Sequence, residues 1–221
     1  MNFDILQKAI PDETMRAFLD KNVRYDNRQF TQERNFIFTK KVFDSFSHSA
    51  IGSLGLNKII LVLKENNELV QNNESRITVQ IENFESSKPQ SISKIYNYVN
   101  KLISNNIEIN SQENNKKTYT LFITIESCDG NVYDTISNSI LNFFNEENND
   151  VGIRIKNKFV TKSFCIFNDD VLIDPGRDEE KLADIMFNVI KFSSGEMYIH
   201  KIKGEFAKWN KIKEIANTIT V

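Results

Sequence analysis

The chain has 221 residues, of which 40% are hydrophobic and 26% are charged, and its formal net charge at pH 7 is −2. These values predict an ordinary soluble protein that needs no disulfide or metal ion to complete its core. They exclude the global positive field typical of dedicated nucleic-acid-binding proteins, so any RNA contact must come from a local basic patch.

The N-terminal part of the sequence predicts one helix followed by three strands. The helix begins at Pro11, a residue favoured in a first helical turn, and ends near Asn22. Its apolar face is formed by residues at helical spacing, Met15, Phe18 and Leu19. Apolar or alternating runs then predict strands at 35–38, 58–64 and 77–84.

Two amphipathic helices flank a further strand in the middle of the chain. Apolar residues recur at helical spacing over 91–104 and 132–146, and the run 118–127 between them predicts a strand. Asparagine-rich tracts at 64–75 and 111–117 predict loops, because Asn adopts left-handed backbone conformations that most residues avoid.

The last part of the chain is rich in strand patterns. Residues 161–203 predict four short strands joined by tight turns, of which the turn at 174–180 is densely acidic. Apolar spacing over 208–216 predicts a closing helix. This irregular order favours an α+β sandwich of sheets and helices over a doubly wound nucleotide-binding fold. We expect a single domain, with a first lobe at 1–150 and a strand-rich second part at 151–221.

Cysteine and histidine residues give no indication of chemistry. Cys128 and Cys165 lie in or beside apolar runs without a Cys or His partner, so we expect buried reduced thiols in a reducing compartment. His48 and His200 lack a Ser, Cys or Asp partner at a recognisable spacing, so neither is assigned a catalytic role. The N-terminus has an early Asp4 and no apolar signal segment, which predicts a cytosolic or nuclear protein.

Three blocks of sequence carry a resemblance to a known family. Residues 18–34 read F-L-D-K-N-V-R-Y-D-N-R-Q-F-T-Q-E-R, with Asn27 where the family motif has Gly, and residues 49–64 read S-A-I-G-S-L-G-L-N-K-I-I-L-V-L-K. The third block, 161–203, has D-P-G-R-D-E-E at its centre. In their order and spacing they resemble the RNase PH-like subunits of the eukaryotic RNA exosome ring.

The resemblance implies a fold and a role. The fold is the two-lobed RNase PH-like sandwich of sheets and helices, of the ribosomal protein S5 domain 2-like class. The role is that of a subunit of a hexameric ring whose channel threads single-stranded RNA for 3′ to 5′ processing and decay, including rRNA processing. The implied partners are other RNase PH-like subunits, S1 and KH-domain cap proteins, a hydrolytic nuclease and RNA, in the nucleus, nucleolus and cytoplasm. No cofactor and no membrane is implied.

Three positions that carry the family's phosphorolytic chemistry are altered. In the family a Thr-Arg pair after an Asp-Gly-Gly turn holds the attacking phosphate, whereas Val132 and Tyr133 occupy those positions here. Glu180 matches one metal-side acid, but Met186 occupies the position of the other. A thioether does not replace a carboxylate as a Mg²⁺ ligand. These departures predict a non-catalytic subunit with no metal.

Two other functional readings stay open. An active phosphate-dependent 3′ to 5′ exoribonuclease is the alternative, if the missing acid has moved to Asp184, two residues from Met186 and so on the same face of a strand. A free-standing protein-binding module is the third. The acidic residues Asp169, Asp170, Asp174 and 178–180 fit a solvated turn better than a metal site.

Seven basic residues are the candidate RNA contacts: Arg24, Arg28, Lys40, Lys41, Arg154, Lys156 and Lys158. The last three alternate with apolar residues, so a strand would present them as one positive stripe or, more simply, as a solvated face. The arginines of the N-terminal motif, Arg24, Arg28 and Arg34, have two open roles. They bind phosphate, or they hold the N-terminal segment through carboxylates such as Asp26 and Glu33.

Overall fold

A computed structural model describes residues 11–66, 76–83, 89–109, 117–146, 152–167, 170–204 and 209–220. In chain order its helices are α1 (Pro11–Leu19), α2 (Pro89–Asn106), α3 (Val132–Glu146), α4 (Arg177–Leu182) and α5 (Trp209–Asn217). Its strands are β1 (Phe36–Lys40), β2 (Ser49–Leu54), β3 (Asn57–Asn66), β4 (Ile77–Asn83), β5 (Ile107–Ile109), β6 (Thr118–Ser127), β7 (Ile153–Ile155), β8 (Phe159–Phe167), β9 (Asp170–Ile173), β10 (Ile185–Phe192) and β11 (Met197–Lys203).

The first sheet has five strands in the order β1-β2-β3-β6-β4. Neighbours along β1, β2, β3 and β6 pair antiparallel, whereas β4 is parallel to β6 because the connection through α2 returns the chain to the same end. β2 and β3 form a tight hairpin in which Gly55 has a φ of 59°, a left-handed conformation that suits glycine. The sequence block 49–64 that resembles the family thus forms β2 and most of β3, and the strand predicted at 58–64 is confirmed.

The second sheet is antiparallel, with the order β11-β10-β8-β9. Strands β8 and β10 consist mostly of apolar residues, and successive side chains point to opposite faces of the sheet. Both faces therefore carry apolar side chains. One face packs against α5, in a cluster that includes Phe164, Phe187 and Ile212. Part of the opposite face packs against α1, in a cluster that includes Met15, Cys165 and Met186. β5 and β7 pair as a separate two-stranded ribbon.

Helix α3 joins the two sheets, because it contacts β2 and β3 of the first sheet and β8 of the second. Its buried residues Ile136, Ile140 and Phe143 belong to the largest core cluster, which also contains Phe159 and Phe192 of the second sheet. At the N-terminus of α3, therefore, segments from both sheets come together.

The predicted α+β class is confirmed, and most predicted elements lie within a few residues of their observed bounds. Two local predictions are wrong. The acidic turn at 174–180 contains the short helix α4, and the strand expected to continue to Lys158 ends at Ile155. Asp169 and most of both asparagine-rich tracts lie outside the described residues. None of the described helices has the length and apolar character needed to cross a membrane.

Candidate functional site

The N-terminal motif folds back onto the acidic segment through Arg24. This side chain is fully buried, and its guanidinium donates two hydrogen bonds to Glu179, from Nε to Oε1 (2.8 Å) and from Nη2 to Oε2 (2.6 Å). Nη1 and Nη2 also donate to the backbone carbonyls of Ile173 (2.9 Å) and Asp174 (2.8 Å). Asn27 has a φ of 61°, so an asparagine supplies the left-handed turn for which the family motif has glycine.

Asp174 is the acceptor on which the rest of the motif converges. Arg34 donates to it from Nε (2.9 Å), Nη2 (2.7 Å) and the backbone N–H (2.8 Å), and Arg28 Nη1 donates from 2.8 Å. The side-chain amide of Asn131 adds a further bond of 2.5 Å. Burial by itself raises the pKa of Asp174, but the hydrogen bonds and charge of Arg34 outweigh it, so this pKa lies below its ordinary value. Asp174 is therefore a saturated structural carboxylate.

Glu180 closes the other side of the turn at 129–131. Its Oε1 accepts the backbone N–H of Asn131 at 2.6 Å, and burial raises its pKa to about 7. Gly130, with a φ of 79°, lies so close to Gly176 that an added Cβ would fall 2.5 Å from the Gly176 carbonyl carbon. The turn before α3 therefore packs closely against the N-terminal end of α4 and is hydrogen-bonded to it.

The three altered family positions hold apolar packing residues. Tyr133 is 7% exposed and stacks edge-on against Tyr98, with ring centroids 4.9 Å apart. Val132 is partly buried against the same core. Met186 is 5% exposed and packs with Met15 and Cys165. At these positions the chain offers neither a cation for phosphate nor a carboxylate for a hard metal ion.

Asp184 and Met186 do not share a strand face, so the geometry expected for a migrated acid is not observed. Strand β10 begins at Ile185, and Asp184 lies in the bend before it. Asp184 is exposed, whereas Met186 is buried. Among the described residues, no group of three or more His, Cys, Asp or Glu side chains is arranged to hold a metal ion.

A buried polar network at the start of α3 was not predicted. Asp134 accepts hydrogen bonds from the hydroxyls of Thr161 (2.9 Å) and Ser163 (3.1 Å), the Ser163 N–H (2.7 Å) and the Asn188 amide (2.6 Å). Burial raises its pKa to about 6. Asn188 in turn accepts from the hydroxyl of Tyr98 at 3.0 Å. The network ties α2 and α3 to both central strands of the second sheet.

The candidate RNA contacts divide into buried and exposed residues. Arg24 is fully buried and paired with Glu179, so its guanidinium has no exposed surface for RNA in this structure. Arg28 is 10% exposed and engaged by Asp26 and Asp174. Structural pairing is thus the role observed for these arginines, with Asp174 and Glu179 as the principal carboxylates. Lys40 is partly exposed and Lys41 exposed, at the end of β1.

The stripe Arg154, Lys156 and Lys158 is exposed, and the residues between and beside these side chains are more buried, as the alternation predicts. Only Arg154 lies in a strand, and its Nε donates to Glu108 on the paired strand β5 at 2.5 Å. Lys156 is held through its backbone, which donates to the Asn106 carbonyl at 2.7 Å. RNA binding by this stripe stays a prediction.

Both cysteines are free thiols, and the predicted burial is confirmed for Cys165 but wrong for Cys128. Cys165 is buried, which raises the pKa of its thiol well above the ordinary value, whereas Cys128 is partly exposed. His200 lies against Tyr98 and Tyr133, and the centroid of its ring is 5.2 Å from the ring centroid of each tyrosine. These contacts place His200 in a cluster of aromatic rings.

Comparison with solved structures identifies the architecture. An archaeal exosome core chain aligns with a TM-score of 0.74 and 19% identity, over 98% of this chain and 94% of that chain. A chain of the Archaeoglobus fulgidus exosome with RNA bound to the active site gives 0.73 and 20%, over 97% and 94%. The chain has the RNase PH-like fold.

Rice (Oryza sativa) Rrp46 shares this fold with a TM-score of 0.69 and 15% identity, over 86% of this chain and 91% of that chain. No protein-family model matches the sequence, and the search of curated proteins finds no match. The predicted RNase PH-like fold is therefore confirmed from structure, where sequence comparison is silent. The arginine and carboxylate cluster is formed by two of the sequence blocks that resemble the family, 18–34 and 161–203. It joins Arg24, Arg28 and Arg34 to Asp174 and Glu179.

Proposed function

We propose that the chain is a non-catalytic RNase PH-like subunit of an exosome ring. In this role it forms part of the wall of a channel that leads single-stranded RNA to a nuclease on another chain, for 3′ to 5′ processing and decay. The observation that carries the proposal is the saturation of Asp174 by Arg28, Arg34 and Asn131, next to partly buried Val132 and buried Tyr133.

This arrangement speaks against phosphorolysis for a chemical reason. Phosphate attack on RNA requires donors that bind inorganic phosphate and a cation that offsets charge at the transferred phosphoryl group. Here the guanidinium groups of Arg28 and Arg34 are occupied by Asp174, and Tyr133 replaces the family's phosphate-binding arginine with a buried ring. Loss of a single preorganised donor typically costs about 3 to 4 kcal/mol of transition-state stabilisation.

The alternative proposal, an active phosphate-dependent exoribonuclease, has one observation in its favour. Asp184 and Glu180 lie on either side of the end of α4, and burial raises the pKa of Glu180 to about 7. A carboxyl group titrating near neutral pH is a feature of general acids and bases. The exposure of Asp184 and the apolar environment of Met186 make this the weaker proposal.

The finer parts of the proposal follow from the sequence resemblance. Among the ring subunits, we propose that the chain corresponds to ribosomal RNA-processing protein forty-three. Its proposed partners are other RNase PH-like subunits, S1 and KH-domain cap proteins, a hydrolytic nuclease and single-stranded RNA. Its proposed location is the nucleus, including the nucleolus, and the cytoplasm.

Two measurements test the proposal. The tagged full-length chain, expressed in its own cells, is purified and weighed intact by native mass spectrometry, and the expected result is a stoichiometric assembly containing homologous ring subunits. The chain alone is then incubated with single-stranded RNA, phosphate and Mg²⁺, and no shortening of the RNA is expected. A homo-oligomer that releases nucleoside diphosphates in a phosphate-dependent reaction contradicts the proposal and supports the alternative.

A further inference from the structure

A pocket lies between helix α2 and the hairpin formed by β10 and β11, on the far side of Tyr133 from the acidic segment. Its volume is about 290 Å³, near the lower end of the range of about 300 to 1,000 Å³ typical of small-ligand sites. The helix contributes Asn97, Tyr98, Lys101, Leu102, Asn105 and Asn106; the strands contribute Ile190, Phe192, Tyr198, Ile199 and His200. It is large enough for one heterocyclic base with its sugar, and too small for a folded polymer.

Aromatic rings form much of this lining. Tyr198 is 40% exposed, so part of this side chain is accessible to a ligand, and it packs edge-on against Phe192 with centroids 5.6 Å apart. His200 and Tyr98 add two further rings deeper in the pocket. Flat aromatic ligands gain from stacking on such surfaces.

His200 provides an unused polar atom beside these rings. Its Nε2 is buried and has no hydrogen-bond partner among the described residues. Burial, followed by the charges of Lys101 and Lys94, lowers its pKa, so the ring is neutral near pH 7 and can donate or accept one bond. Because solvent does not reach Nε2, a ligand in the pocket meets the face or edge of this ring and not Nε2.

The charge of the pocket favours an anion. Its lining contains one lysine and no carboxylate. Lys101 forms no ion pair within the part of the chain that the structure describes, and its Nζ lies 5.0 Å from the centre of the Tyr198 ring. Asn97 and Asn105 lie one turn before and one turn after Lys101 on the same helical face. Amide groups of this kind can both donate to and accept from the edge of a base.

From this combination we propose that the pocket binds a nucleotide, with the base on Tyr198, the phosphate at Lys101 and the sugar beside the His200 ring. The ligand chemistry is that of a nucleoside monophosphate, whether free or as one unit of single-stranded RNA. If it is RNA, the pocket adds a base-binding site to the proposed channel subunit, and in that respect the inference rests on the proposed function. Binding of a free mononucleotide to the single chain does not depend on the ring.

The experiment uses the full-length chain alone, with its histidine side chains labelled with nitrogen-15. The chain has two histidines, so His48 is an internal control for His200. Adenosine monophosphate and uridine monophosphate are titrated in, followed by adenosine, inorganic phosphate and a short oligouridylate, and affinities are measured by calorimetry. The expected result is a saturable shift of the His200 resonances with the monophosphates and none for His48.

Two variants and two matched controls locate the site. Tyr198→Ala should weaken binding of adenosine monophosphate about tenfold or more through lost stacking, whereas Tyr96→Ala, an equally exposed tyrosine on α2 outside the pocket, should not. Lys101→Ala should weaken the monophosphate and leave adenosine unchanged, whereas Lys213→Ala on α5 should alter neither. Because Lys101 is exposed, this variant tests the proposal even if Tyr198→Ala fails to fold.

Three results overturn the inference. The first is the absence of any His200 shift at millimolar nucleotide, and the second is an equal loss of binding in Tyr96→Ala. The third is a purified assembly in which a neighbouring chain protects Tyr198 and abolishes nucleotide binding, which identifies a protein side chain as the occupant. Tighter binding of oligouridylate than of uridine monophosphate supports RNA as the source, and the reverse supports a free nucleotide. Failure to purify a ring leaves the single-chain result standing, so the two proposals fail separately.

Discussion

Arg24 and Glu179 form a bidentate ion pair whose arginine is completely buried and whose glutamate side chain is 7% exposed. The pair joins the segment after α1 to α4, elements 155 residues apart in the chain. The other N–H groups of the guanidinium donate to three backbone carbonyls, and Glu179 Oε2 also accepts the Gly176 N–H at 2.8 Å. Such saturation is the condition under which a buried ion pair is tolerated.

Breaking this pair from one side should be among the most costly substitutions in the protein. Arg24→Met leaves Glu179 buried without a cation, and we expect the free energy of unfolding to fall by about 3–5 kcal/mol in urea denaturation. The combination with Glu179→Leu should cost less than the sum of the two single changes, because neither charge is then left alone.

The control for this prediction is an exposed ion pair. Arg154 and Glu108 are 69% and 40% exposed, and Arg154→Met should change stability by about 1 kcal/mol or less. Equal losses for Arg24→Met and Arg154→Met would show that the buried pair is not what holds the N-terminal segment in place.

Asp174 should make the protein sensitive to acid. Its folded-state pKa lies below the ordinary 3.8, so near that pH the unfolded chain binds more protons than the folded one. The stability it contributes is present above pH 3.8 and is lost as the pH falls through the lower folded-state pKa. Asp174→Asn should therefore be less stable at neutral pH and show a shallower loss in acid, as measured by unfolding at a series of pH values. An unchanged acid slope in the variant argues against the role of this carboxylate.

Glu180 should have the opposite effect of pH. Its pKa rises from 4.5 to about 7 in the folded protein, so the folded state binds more protons between these values and stability falls as the pH rises across this window. Glu180→Gln keeps an oxygen for the Asn131 N–H and removes the titration. The variant should gain on the order of 1–3 kcal/mol relative to the native chain above pH 7 and little below pH 4.5. The check is the difference in unfolding free energy across this range; a constant difference contradicts the prediction.

Local sequence patterns were sufficient for most helices and strands, because the signal lies in neighbouring residues. The apolar spacing at 132–146 and the run at 118–127 predicted α3 and β6 with their observed bounds. The short helix α4 was missed because its six residues contain too few apolar positions to show a helical period. The expectation that Asp184 shares a strand face with Met186 was wrong because the strand begins one residue after Asp184.

The ion pairs of the site depend on contacts that no local pattern contains. The sequence left two roles open for Arg24, phosphate binding and pairing with a carboxylate. In the structure Arg24 pairs with Glu179, which is 155 residues away in the chain. The network of Asp134 did leave a sequence signal. Asn188 is the one uncharged polar residue in the apolar strand I-M-F-N-V-I-K-F. Thr161 and Ser163 are two residues apart in β8 and therefore lie on the same face of that strand. A lone polar residue inside a buried strand indicates a buried polar partner.

The exposed stripe Arg154, Lys156 and Lys158 gives the last prediction, which concerns the purified assembly. Non-specific attraction to RNA comes from phosphate contacts, so replacing all three residues with Glu should weaken binding of single-stranded RNA at low salt and reduce its salt dependence. The expected loss is independent of sequence and diminishes as the salt concentration rises, because surface charges are screened. Lys213→Glu, on the exposed face of α5, is the control for a general change in charge. Fluorescence anisotropy with labelled RNA measures both effects, and equal affinities for the stripe variant and the control would identify these side chains as a solvated face.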